Sequence, residues 1–158
     1  MKQGARIGIA VGVIILVTVV VLGVDLARRQ SDASLPAGSI PLYVRGELAT
    51  AFVPDDLESL ELVSFVDEEE GKTQEGWLLR DILKLYLTDD VLREDTVVVV
   101  SSTSREKSVT LTWPEVNDTG NMVMFDLAGR GTLKLVSKLE RLDIRDEWVQ
   151  DVDRIEVE

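Results

Sequence analysis

Apolar and polar positions follow two regimes along this chain. Residues 7–24, IGIAVGVIILVTVVVLGV, form an unbroken apolar run whose one hydroxyl is Thr18. At about 1.5 Å per residue a helix over this run reaches about 27 Å, close to the ~30 Å hydrocarbon core of a bilayer. Lipid offers no partner for free backbone amides, so the run is expected to be helical despite its many β-branched residues. Beyond residue 39 the pattern breaks into short pieces. Residues 41–47 alternate through Leu42 and Val44 up to Gly46, and residues 55–60 suit one helical turn with Asp55 as cap and Glu58 three positions on. Residues 62–66 read as a strand that ends in an acidic turn at Gly71. Residues 77–87 predict a helix: Leu78, Ile82 and Leu85, flanked by Leu79, Leu83 and Tyr86, form an apolar stripe, and Arg80, Asp81 and Lys84 face water.

The second half continues in short strands. Residues 96–100 are a continuous β-branched run, the pattern of a strand buried on both faces. Residues 108–113 alternate, with Val109, Leu111 and Trp113 on one side, and Thr112-x-x-Glu115 with Pro114 predicts a short capped helix through Val116. Residues 122–127 and 133–136 flank a glycine-rich turn and read as a hairpin; Trp148, Val149 and Val152 lead into a closing strand over 154–157. No regular βαβ alternation links these pieces. The predicted class is α+β, with mixed β-sheets and short helices, preceded by one transmembrane helix.

Three segments follow from this pattern: a membrane anchor over 1–24, a juxtamembrane linker over 25–39 rich in small and breaker residues, and a soluble domain over 40–158. A cleaved signal peptide is the competing reading of the first. Its apolar core would be shorter, about 7 to 15 residues, and the nearest small-x-small site, Ser31-Asp32-Ala33, lies behind Arg28 and Arg29. Basic flanking residues tie at two on each side, and the α-amino group tips the N-terminus inward, which places the domain outside the cytoplasm. Gly8 and Gly12 lie one helical turn apart within the span, a spacing that lets two helix backbones approach. Glycine is also common in membrane helices, and that reading is the simpler one.

Composition sharpens the picture by exclusion. The 158 residues include no cysteine and no histidine. Disulfides, thiolate metal ligands, thiol nucleophiles, imidazole bases and the usual zinc ligands are therefore absent. Seventeen Lys and Arg stand against twenty-nine Asp and Glu. The excess is uneven: residues 1–31 carry net +3, and the remainder carries thirteen basic against twenty-eight acidic residues. A surface so acidic does not suit nucleic acid, whose phosphates call for Lys and Arg.

Three stretches resemble the molybdopterin-binding domain of the sulfite oxidase family. Leu42-Tyr43-Val44-Arg45-Gly46-Glu47-Leu48 followed by Val53-Pro54-Asp55-Asp56-Leu57 is similar to the family's opening strand, glycine turn and short helix. Gly76-Trp77-Leu78-Leu79-Arg80-Asp81-Ile82-Leu83 is similar to its G-V-P-L-R-D-L-L helix start. Leu133-Lys134-Leu135-Val136 and then Trp148-Val149-Gln150-Asp151-Val152-Asp153-Arg154-Ile155-Glu156-Val157 resemble its closing segments. The resemblance implies a compact α+β domain and, in active members, a cysteine thiolate on molybdenum with basic and histidine side chains on the pterin phosphate. This chain has neither cysteine nor histidine, so no cofactor residue carries over. The scaffold is expected without the site.

Remaining candidates are few. The acids at 67–70 and those at Asp143, Asp146, Glu147, Asp151 and Asp153 lack the spacing of a calcium loop and read as solvated turns. Neither phosphate-loop pattern occurs, and Ser101, Ser102 and Ser104 have no histidine base to serve them. One stretch runs against the overall charge: Arg130, Lys134, Lys138, Arg141 and Arg145, the last four spaced by four, three and four. On a helix these would form a basic stripe, a docking surface for an acidic partner or lipid head groups; in a strand and loop they would balance neighbouring acids. The expected function is a non-catalytic binding or assembly module, held in the bilayer through residues 7–24, that meets a membrane protein or an acidic protein and takes no cofactor and no nucleic acid. Two alternatives stand beside it. One is a molybdopterin-dependent oxidoreductase that binds its cofactor without a protein thiolate; the other is a small accessory subunit whose helix is the working part.

Overall fold

A computed structural model describes residues 35–127, 129 and 131–158. The expected span over 7–24, with Gly8 and Gly12, and also Arg130 lie outside the described residues. Among the described residues no helix is long and apolar enough to cross a membrane.

The chain enters through β1 (Ile40–Val44) and β2 (Glu47–Phe52), a hairpin whose two turn residues, Arg45 and Gly46, have φ of 51° and 80°. A two-residue turn with both centres left-handed matches the twist of the flanking strands, and glycine takes that conformation without a Cβ penalty. The alternation over 41–47 gave the first strand but not β2, whose residues from Glu47 to Ala49 are exposed and carry no apolar period. The next turn is 3-10 over Pro54–Leu57. Its cap is Val53, whose N–H donates to the Asp56 carboxylate at 2.9 Å, so Asp55 sits inside the turn rather than before it.

β3 (Leu62–Val66) and β4 (Thr73–Leu78) form a second hairpin, and α1 (Leu79–Tyr86) follows without a loop. The predicted helix over 77–87 is thereby shortened. Trp77 and Leu78 pair with Phe125 and Met124 of a neighbouring strand, and the Leu79 N–H donates to the Val123 carbonyl at 2.9 Å. Sheet bonding claims the residues whose side chains fit a helical stripe. The helix buries Leu79, Ile82 and Leu83 and leaves Leu85 exposed.

β5 (Val97–Ser102) and β6 (Lys107–Thr112) pair antiparallel. The expectation that the valine run is buried on both faces does not hold: Val98, Val100 and Ser102 are buried, and Val97 and Val99 are half-buried. α2 (Trp113–Asn117) begins with the predicted capping box, in which Thr112 N–H donates to Glu115 Oε2 at 2.8 Å. β7 (Met124–Leu127) and β8 (Leu133–Val136) make the predicted hairpin, and β9 (Arg154–Val157) closes the order.

These strands build two sheets, β2-β1-β9-β5-β6 and β3-β4-β7-β8. The β1–β9 pair is parallel and the other pairs antiparallel. The class is mixed α+β with two sheets and few short helices, as the pattern predicted. Ala37–Glu158 forms one compact unit. Its main core takes Leu42, Val98, Val100 and Ile155 from the first sheet, Trp77, Phe125 and Leu135 from the second, and α1. A smaller cluster on the other face of the second sheet joins Leu78, Met124 and Val136 to Trp148.

Candidate functional site

The pleat of the four-stranded sheet decides what its surface offers. In β4, Thr73, Glu75 and Trp77 share one face, opposite Val66, Ser64 and Leu62 of β3. The Trp77 end of that face packs into the main core; the Thr73 end stays open and becomes the floor of a groove of about 640 Å³. The segment from Pro54 to Leu60 forms its wall. Four carboxylates line it, from Asp55, Glu58, Glu75 and Asp126, and no Lys or Arg does. Leu62 and Leu127 supply apolar rim at 55% and 48% exposure. Trp77, 7% exposed, separates groove from core, and its buried indole N–H has no partner. An unmet buried donor is costly, so this is a soft point in the floor.

Gly76 sets the joint between β4 and β7. A β-carbon there would overlap the Phe125 carbonyl oxygen and lie 2.6 Å from its carbon. The close approach of the two backbones requires glycine at this position.

The basic residues from Lys134 to Arg145 are spread over a strand, a loop and two 3-10 turns, Glu140–Leu142 and Arg145–Glu147, not along one helix. No helix forms because β8 pairs with β7, and the Ser137 hydroxyl then accepts from Leu139 N–H at 2.9 Å while donating to the Asn121 carbonyl. Lys134 lies 2.8 Å from the Asp126 carboxylate and 2.7 Å from Gln74 Oε1, and its ammonium sits over the Trp148 ring. Arg145 pairs with Glu70, approaches buried Asp67 at 3.9 Å and also lies over Trp148. Arg141 pairs with Glu115 at 2.8 Å and donates to the Thr110 carbonyl. Lys138 is exposed and has no acidic partner among the described residues.

These pairs leave their mark on the carboxylates. Partial burial pushes Glu115 up, but hydrogen bonds from the Arg141 side chain and the Thr112 amide together hold it below the usual range. Glu70 is also lowered, by hydrogen bonds from Lys72 and then Arg145. Ser102 and Ser104 face each other at 3.2 Å between hydroxyl oxygens. Among the described residues no group of three carboxylates is placed to hold a metal ion.

The groove residues were not singled out in the sequence. One signal was available: residues 62–66, LVSFV, carry no charge, although nine acids and one lysine occupy the surrounding stretch of 55–75. An uncharged strand in so charged a setting marks a surface with a use for its apolar side chains.

The chain matches no family model, and no curated protein matches it either.

The lining can be tested against the pterin that the resemblance implies for active members. A phosphate-bearing ligand calls for Arg, Lys or an array of amides. This groove presents carboxylates, and the chain has no cysteine for a metal. The residues do not fit an anionic cofactor.

Proposed function

We propose that this chain is a membrane-anchored, non-catalytic binding and assembly module on a degenerate sulfite oxidase-like scaffold. The scaffold reading draws support from the order of its pieces. The first motif falls on β1, its left-handed glycine turn and the 3-10 turn at Pro54–Leu57; the second falls where β4 runs into α1; the last falls on β8 and β9. The anchor rests on the apolar run at 7–24, and the proposed orientation has the domain outside the cytoplasm. The observation that carries the binding role is the acidic, apolar-rimmed groove, whose carboxylates and apolar rim supply recognition chemistry. Lys134, Arg141 and Arg145 already neutralise internal carboxylates, so the groove is the stronger candidate surface than the basic stretch.

Purification of the full chain in mild detergent tests this reading. Expected is a protein free of molybdenum that co-purifies with a membrane protein. Stoichiometric molybdenum with bound pterin, or a strictly monomeric profile without a partner, would overturn it.

A further inference from the structure

We infer that the free edge of β3 receives an extended basic segment of a protein partner as a fifth strand of the four-stranded sheet. This rests on the binding-module reading and names the chemistry of its partner.

β3 is an outer strand, paired only with β4. Asp67 N–H donates to the Lys72 carbonyl at 2.8 Å just past the strand, which fixes the phase of the antiparallel ladder. Every second residue turns its amide and carbonyl the same way, so Val63 and Phe65 bond inward, and Leu62, Ser64 and Val66 aim theirs at the open edge. Those outward groups find no backbone partner in another element among the described residues. Edge strands are ordinarily guarded by charge, proline or a bulge. Residues 62–66 have no charge and no proline, their register with β4 is regular, and Leu62 and Val66 are 55% and 57% exposed.

Charge selects the occupant. Asp55, Glu58 and Glu75 line the groove beside this edge and have no ion pair among the described residues. Glu61 precedes the strand, and 67–70 follow it. A second copy pairing edge to edge would bring these acids together, in a domain with thirteen basic and twenty-eight acidic residues beyond residue 31. A strand with Lys or Arg at alternate positions reverses that balance. Its basic side chains would lay their methylene stems over Leu62 and Val66 and reach Glu58 and Glu75 with their charged ends. Its intervening apolar residues would fall on the opposite face, beside the half-buried Val63 and Phe65. Main-chain bonds give affinity and the alternate side chains give specificity.

The test uses the full chain in detergent micelles on an array of decapeptides. One set alternates Lys or Arg with Val, Ile, Leu or Thr; its counterpart carries Glu in place of each base. Expected is binding to the basic set alone, weakened at least about threefold by E58Q/E75Q and at least about tenfold by Val66→Lys. The tightest peptide is then remade with N-methyl amides at odd or at even positions, which leaves the protein untouched. Strand addition predicts that one series loses at least about tenfold in affinity and the other little, because only alternate amides face β3. Equal effects of the two series, equal binding of the acidic set, or no binding on the array would overturn the inference. A dimer dispersed by Val66→Lys would overturn it in favour of self-pairing. A molybdenum-free chain that keeps a membrane partner after Val66→Lys would leave the binding-module reading standing and remove this one; stoichiometric molybdenum would remove the broader reading itself.

Discussion

The outer strands of the two sheets are finished differently. In the five-stranded sheet, β2 opens with Glu47 and its ladder to β1 shifts register between Leu42 and Tyr43, while β6 opens with Lys107, bonded to the Asp146 carbonyl. In the four-stranded sheet, β8 is covered: Leu135 N–H donates to the Val149 carbonyl at 2.8 Å and Val152 N–H to the Leu133 carbonyl at 2.9 Å. Among the described residues β3 alone has neither charge within the strand, irregular register nor cover. An exposed edge invites any extended chain, and a protein keeps one bare at a cost in solubility. The acids that flank β3 limit the visitors, so the same hairpin carries both the invitation and the filter.

Substitutions on both sheets probe how far this difference goes. Gly76→Ala should have the largest effect, about 3 kcal/mol or more of lost stability by urea denaturation, because the β-carbon meets backbone that cannot yield without separating β4 from β7. Gly71→Ala, in the β3–β4 turn at φ 67° with open space around it, should lose only about 1 kcal/mol, from conformation alone. Lys134→Met leaves Asp126 part-buried beside a neutral side chain; a loss of about 2 kcal/mol is expected, partly restored in the double variant with Asp126→Asn.

A further test lies on the other sheet's side. Glu115 titrates below its ordinary 4.5 when folded. Its contribution is therefore complete above the unfolded value and disappears as pH falls through the lowered one. Stability measured from pH 6 down to pH 3 should show this acid limb, flatter in Glu115→Gln, and Arg141→Gln should cost no more than about 1 kcal/mol at pH 7. The smallest effect belongs to β3: Val66→Lys should change stability by under about 0.5 kcal/mol, since the side chain already faces solvent. A large loss there would show the edge to be structural.

Much of this architecture is legible in the residues, and the failures are instructive. Thr112-x-x-Glu115 predicts a capping box and one forms, because both partners lie within a single turn and need nothing from the rest of the chain. The glycine-rich stretch between 127 and 133 predicts a hairpin for the same local reason, and β7 pairs with β8. Trp77 and Leu78 defeat the periodicity, since their partners Phe125 and Met124 lie nearly fifty residues away. The basic stretch is similar: three spacings suit a helix, but β8 has a strand to join. The groove was least legible. Asp55, Glu75 and Leu127 come together only when β4 lies between β3 and β7, and the uncharged run at 62–66 is the one local sign of it.

The position of β9 has a temporal consequence. It is the last element in chain order, yet it lies between β1 and β5 and bonds to both. Without it, the five-stranded sheet is two separate hairpins, β1–β2 and β5–β6, with no ladder between them. Four residues, Arg154–Val157, join everything on that side of the core. The hairpins can each form from local contacts, but the sheet cannot be joined until β9 pairs with both of them.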